Sequence, residues 1–468
     1  RPAGSPLDGN TVTGSNLPPA WGLTTGHTAT VIAILDSGIL PHADFAGRVL
    51  PGYDFISSPF IANDGDGRDN DTTDAGDWIS ADDLANPICT GETEAPSSWH
   101  GTRVASIAAA TGDNALALAG INWQARILPV RVLGKCGGYD SDIIDGMRWA
   151  AGLPVSGTPS NPHPAHIINL SLGSDASCSI FYRDVLTQLN SRGVIVVAAT
   201  GNDYDSGTIN APANCQSVFA VTAHNADGLS AHYANVGPNT AISAPGGGPG
   251  TDTEGYKTGL DLEIQVLSSD GTTTPGLDNV QDGTGTSLAT PHVTGTLALL
   301  RGLLPDADAN RLRQFITETV QPHPPGSWCT LEERNCGSGL LNAGAALTAA
   351  HLALALNHLP ALDSPATLKG SYRRSLRAQI AASDADRDAI RFTATHRPIG
   401  STLSSSGEFV WSSPVAGSHT LRFYLHDGLQ QSAEQVLTVQ ITGAEANTSS
   451  STGGGGGGSS GPWLLAVL

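Results

Sequence analysis

The sequence predicts an α/β protein: a doubly wound parallel sheet, followed by a small all-β sandwich and a glycine-rich tail. Three observations predict it. Apolar runs at 31–36 (VIAILD), 126–133 (RILPVRVL), 166–172 (HIINLSL), 193–199 (GVIVVAA) and 217–222 (SVFAVT) are continuous rather than alternating, as strands covered on both faces are. Helix-like stretches at 101–110, 140–151 and 181–191 lie between them, and such alternation builds a covered parallel sheet. From about residue 362 the pattern changes to alternating strands at 388–394, 407–411, 418–425 and 434–442, separated by turn residues, the mark of a sandwich.

A long apolar helix is expected over 287–303. Pro291 falls in its first turns, where a missing N–H does least harm. A further helix is expected over 306–319. Residues 445–461 are rich in Ser, Thr and Gly, with six consecutive glycines at 453–458, and read as a flexible linker.

The 468 residues suffice for two or three domains at roughly 100–200 residues each. Charged residues make up 14% and the net charge is −20. An acidic chain is repelled by nucleic acid and by anionic membranes, so neither is an expected partner. Six cysteines are spread over residues 89–336 without a CxxC pair. Zinc sites need clustered ligands, so disulfides in an oxidising compartment are the better reading; six cysteines allow 15 pairings. Residue 1 is Arg and no signal-like apolar stretch follows, so a processed chain or a fragment is expected.

Three residues stand where hydrolytic chemistry needs them. Asp36 ends the first strand, and the carboxyl ends of parallel strands are where sites form. A carboxylate there can orient a histidine and stabilise its imidazolium. His100 lies in SSWHGTRVASIAA, with serines to cap a small-residue helix and Gly101 to permit close approach. Ser287 lies in GTGTSLATPHVTG, at the start of the long apolar helix. Helix N-termini carry unpaired N–H groups and partial positive charge, suited to an oxyanion beside a nucleophile.

The segments AILDSGI, WHGTRVASIAA, INLSLG, VVAATGN and GTSLATPHVTG resemble the motifs of the subtilisin-like serine peptidases (subtilases), in that family's order of Asp, His, Asn, Ser. The resemblance implies a secreted serine endopeptidase of broad specificity with no organic cofactor, made as a zymogen and acting on proteins or peptides as a monomer. It implies Ser287 as nucleophile, His100 as general base and acid, Asp36 as the orienting carboxylate and Asn202 as an oxyanion donor. Ser171, Leu172 and Gly173 match one rail of the family's substrate cleft, and the segment at Gly137, Gly138 and Tyr139 matches the other. Asp203 matches a position near the first specificity pocket. Leu288 stands where the family commonly has Met, and Thr200 where Ala is usual.

Residues 63–77 read NDGDGRDNDTTDAGD. Crowded carboxylates repel one another unless a cation is present, and hard oxygen ligands suit Ca²⁺. Subtilases commonly bind structural calcium, and Asp64, Asp66, Asp69, Asp71 and Asp74 are the expected ligands. The pairs Cys178–Cys215, Cys329–Cys336 and Cys89–Cys136 fit the secreted bacterial subtilases that the chain resembles.

The expected organisation is a peptidase domain over 1–355, a sandwich over 362–443 that resembles bacterial immunoglobulin- or cadherin-like modules, a linker over 444–461 and the start of a hydrophobic segment over 462–468. In the module, Asp384, Asp386 and Asp388 are read as turn carboxylates in preference to calcium ligands. The glycine run followed by PWLLAVL resembles the start of a C-terminal sorting signal of Gram-negative bacteria. It implies an extracellular or cell-surface location with transient membrane anchoring.

Overall fold

In a computed structural model, residues 14–443 are described apart from 206 and 332–333, together with the backbone of two paired strands, Ser5–Leu7 and Asn10–Val12. The expected linker and hydrophobic end lie outside the described residues. Contacts divide the chain into two compact units, one of residues 1–357 with 428–430, the other of 358–427 with the residues after 430.

Seven parallel strands form the central sheet of the first unit. In spatial order they are Tyr53–Asp54, Arg126–Arg131, Val31–Asp36, Ile167–Leu170, Ile195–Ala199, Val218–His224 and Thr240–Pro245. The chain leaves Val31–Asp36 first in one direction and then in the other, so the predicted doubly wound arrangement is borne out. Its switch point lies beside Asp36, where crevices open at the strand ends.

Both faces of the sheet are buried, which is why its strands read as unbroken apolar runs. Ile32, Ile34, Ile127, Ile167 and Val197 pack on one face with Val104 and Ala108 of the helix His100–Ala109 and with Val293 and Leu297 of the helix Thr286–Leu303. Ala33, Leu35, Leu128, Val130 and Ile168 pack on the other with Ile143 and Met147 of Asp140–Ala150 and Val185 and Leu189 of Ile180–Ser191. Successive residues of each strand therefore serve opposite cores.

Two antiparallel hairpins that the sequence did not announce follow the last sheet strand: Gly248–Thr251 with Lys257–Leu262, and Ile264–Ser269 with Asp278–Gly283. Disulfides join Cys89 to Cys136, Cys178 to Cys215 and Cys329 to Cys336, with Cα separations of 5.1, 5.2 and 5.5 Å.

In the second unit a four-stranded sheet (Thr367–Ser371, Gln435–Thr442, Gly417–His426, Arg391–His396) and a three-stranded sheet (Leu376–Gln379, Glu408–Trp411, Ser401–Leu403) share a core of Phe409, Trp411, Leu421, Phe423, Leu437 and Val439. Among the described residues no helix is long and apolar enough to cross a membrane.

Candidate active site

Asp36 is fully buried, and its Oδ1 accepts the N–H of Ser37 at 2.8 Å and meets Nδ1 of His100 at 2.7 Å. The pair exists because the histidine helix comes very close to the strand end. A β-carbon on Gly101 would stand 2.1 Å from the Gly38 carbonyl oxygen and 3.2 Å from the β-carbon of Asp36, so only glycine fits. Burial alone would lower the pKa of the His100 imidazole, but the charge and hydrogen bond of Asp36, helped by Asp77, raise it above the ordinary value. The Asp36 contact fixes the proton on Nδ1 and leaves Nε2 as the basic nitrogen.

Ser287 lies in the first turn of Thr286–Leu303. The residue before that helix, Gly285, has φ 153°. A β-carbon there would stand 2.8 Å from Ser287 Oγ and 3.8 Å from Asn202 Nδ2, so the hydroxyl and the amide flank one small space that glycine keeps open. The orientation of the Asn202 amide follows from its neighbours. Its Oδ1 accepts both the N–H and the hydroxyl of Thr286, each at 2.9 Å, which turns the NH₂ group the other way.

The cleft residues divide. Gly137, Gly138 and Tyr139 are exposed, and Gly137 has φ 106°. Leu172 is half-buried and Gly173 exposed. The Ser171 hydroxyl is turned inward: it accepts from Asn169 Nδ2 at 2.9 Å and donates to the Ser287 carbonyl at 2.7 Å. It therefore braces the nucleophile's helix. Asp203 is exposed, with Oδ2 accepting from Asn235 at 3.1 Å and Asn210 at 3.3 Å.

The five expected calcium ligands are not brought together. Among the described residues the acidic trio whose carboxylates lie within 4.8 Å of one another is Asp384, Asp386 and Asp388 of the second unit, and no trio of the 63–77 stretch joins it. Asp64 turns instead to the buried guanidinium of Arg131, which also meets Asp54 at 2.5 Å, the carbonyl of Ala62, and the carbonyl of Ser37 at 3.1 Å. Burial pushes the Asp54 carboxyl up to about 7 against the pull of Arg131. Asp66 and Asp71 are exposed. Asp69 accepts the N–H of Asp71, and Asp71 that of Thr73. Asp74 is sunk beneath the site on Ser37. The Arg131 guanidinium, local turns and the Ser37 hydroxyl thus engage four of these carboxylates.

The contacts of Asp74 and Asp77 were not read from the sequence. Ser37 Oγ donates to Asp74 Oδ2 at 2.6 Å, and Ser98 Oγ to Asp77 Oδ2 at 2.6 Å. The serines beside His100 hinted only at a cap; the carboxylate partner of Ser98 lies 21 residues away, and that of Ser37, which follows Asp36, lies 37 residues away.

The subtilase family profile matches residues 27–342, and the chain belongs to that family of peptidases. It is 42% identical over 342 residues to an extracellular protease of Xanthomonas campestris, covering 73% of this chain and 55% of that protein. It is 36% identical over 323 residues to an extracellular basic protease of Dichelobacter nodosus, covering 68% and 50%. The chain thus spans about half the length of these two relatives. A solved protease structure from Pseudoalteromonas arctica superposes with a TM-score of 0.65 at 40% identity, covering 72% of this chain and 94% of that one.

Proposed function

We propose that this chain is a secreted serine endopeptidase that cleaves peptide bonds through Ser287, His100 and Asp36. The observation that carries the reading is the 2.7 Å pair of buried Asp36 with His100, at the same strand ends where Ser287 and the Asn202 amide flank the gap left by Gly285. Ser287 Oγ attacks the scissile carbonyl as its proton passes to Nε2 of His100. The imidazolium, held by Asp36, then gives that proton to the leaving amine and leaves an acyl-serine. Water, activated by the same imidazole, releases the acid. The oxyanion of each tetrahedral state is received by Asn202 Nδ2 and the backbone N–H of Ser287.

An extended peptide lies between the segment 171–173 and the exposed glycines 137 and 138. Main-chain pairing supplies most of the affinity, so specificity is broad. The extracellular relatives and the three disulfides support secretion; the family resemblance and the C-terminal glycine run carry the further reading of a monomer made from a zymogen and delivered to the exterior or surface of a Gram-negative cell. Residues 1–355 form the peptidase domain and 362–443 a separate module. Ser287→Ala tests the assignment. Turnover of an unfolded protein substrate is expected to fall by about 10⁶, the size a subtilisin shows for loss of its serine. Residual turnover within tenfold of the parent refutes it.

A further inference from the structure

We propose that Asp74 and Asp77 are positioning residues for the imidazole of His100, each acting through a serine hydroxyl on one backbone N–H at the start of the His100–Ala109 helix. The inference rests on the reading of His100 as the general base.

The helix starts without a cap from the residue before it. Trp99 has φ 52° and ψ 34°, and its side chain makes no capping bond. The first N–H groups of a helix have no partner within it, and here two serines take two of them. Ser98 Oγ accepts the N–H of His100 at 3.2 Å, and Ser37 Oγ accepts the N–H of Gly101 at 3.0 Å.

Behind each serine stands a carboxylate. Asp77 holds Ser98 at both ends, its Oδ1 taking the Ser98 N–H and its Oδ2 the Ser98 hydroxyl, each at 2.6 Å. Asp74 Oδ2 takes the Ser37 hydroxyl at 2.6 Å, and its Oδ1 the N–H of Gly76 at 2.9 Å. A hydroxyl has one proton to give. An ionised carboxylate only accepts, so it draws that proton and turns the serine's lone pairs toward the backbone N–H. Each aspartate thereby sets the polarity of its serine.

The two relays meet the catalytic pair from two sides. Ser37 directly follows Asp36, so Asp74 ties the turn that carries the orienting acid to the helix that carries the base. Ser98 lies two residues before His100, so Asp77 ties the chain entering that helix. The spacing between the aspartates is fixed by Gly76, with φ 92°: a β-carbon there would meet the Thr273 carbonyl oxygen at 2.2 Å and Ser97 Oγ at 2.6 Å. The charged groups facing the His100 ring are Asp36 and Asp77, which favour the imidazolium, and Arg103, which opposes it. Arg103 is itself held by Ser268 at 3.2 Å and Gln281 at 2.5 Å.

The test uses the whole chain with Asp74→Asn, Asp77→Asn, Ser37→Ala, Ser98→Ala, Ser37→Thr and Ser98→Thr. The Asp→Asn and Ser→Ala changes are expected to lower kcat about ten- to hundredfold, the cost of small misplacement of a catalytic group, with KM within twofold. The threonines, which restore the hydroxyl, are expected to return most of the loss. In the inactive Ser287→Ala background, the His100 imidazole signal followed by NMR is expected to titrate at lower pH after Asp77→Asn, because a neighbouring negative charge is gone. Asp184→Asn, on the exposed face of the helix Ile180–Ser191, is expected to change none of these readings. Should an aspartate variant fail to fold, the Ser→Ala variants, which remove only a hydroxyl, decide the matter. Parent-like kcat in the folded variants, with an unmoved imidazole titration, overturns the inference. It leaves the triad reading intact where the parent still cleaves substrate and loses that activity on Ser287→Ala. Parent-like cleavage by Ser287→Ala refutes the triad reading first.

Discussion

The two halves of the acidic stretch 63–77 contain the same residue type in opposite settings. Asp66 and Asp71 are exposed and, with Asp69, stand in local turns. Asp74 is 1% exposed and Asp77 half-buried, and each holds a serine next to the catalytic pair. The difference lies in burial and partner. In water a carboxylate exchanges one hydrogen bond for another at little net gain, whereas a buried one leaves a donor unsatisfied when it is removed. The calcium expectation for the stretch came from its crowded carboxylates and from the family resemblance, and neither shows which partners each carboxylate finds in the fold. The folded chain places Arg131, from the strand Arg126–Arg131, between Asp54 and Asp64.

The comparison predicts graded sensitivity. The largest effect belongs to the oxyanion site, which lies outside the stretch. Asn202→Ala is expected to lower kcat by about 10²–10³ with KM little changed, the loss a subtilisin suffers without its side-chain oxyanion donor. A rise in KM at constant kcat contradicts that role. Next comes the buried cation. Arg131→Met removes the partner of Asp54 and is expected to destabilise the first unit by about 3–5 kcal/mol, the usual result of leaving one buried charge unpaired. Denaturant unfolding within 1 kcal/mol of the parent removes Arg131 as the organising cation. The smallest effect is on the exposed side. Asp66→Asn and Asp71→Asn are expected to stay within about 0.5 kcal/mol of the parent in the same measurement. A loss comparable to that of Arg131→Met erases the distinction between the two halves.

What was legible follows the same physics. The sheet was legible because strands buried on both faces have unbroken apolar runs, and Ile32 and Ala33 serve opposite cores. Asp36, His100 and Ser287 were singled out from short local motifs rich in Gly, Ser and Thr, and Asn202 from the resemblance of VVAATGN to the family's motif. The hairpins between 248 and 283 were not legible. Lys257–Leu262 alternates exposed and half-buried positions, and Gly, Thr and Asp there mimic loop composition. The partners of the acidic stretch were hidden because they are long-range: Asp64 meets a guanidinium 67 residues away. Ser171 matched a substrate rail, yet its hydroxyl points at the Ser287 carbonyl, an orientation that sequence does not carry.

The acid side of the pH profile follows from His100. Its imidazole must be neutral to accept the Ser287 proton, and Asp36 holds its pKa above the ordinary value. On lowering the pH, kcat/KM is therefore expected to fall through a midpoint above about 6.5, the value of an unperturbed histidine. A midpoint well below it removes the carboxylate's hold on the ring.

The central claim is that Ser287 is a nucleophile made reactive by His100 and Asp36. Stoichiometric reaction with an organophosphonate, followed by peptide mapping, addresses it directly. The account predicts one label per chain, on the peptide containing Ser287, with a rate that collapses on His100→Ala. A label elsewhere, or one whose rate is indifferent to His100, contradicts it.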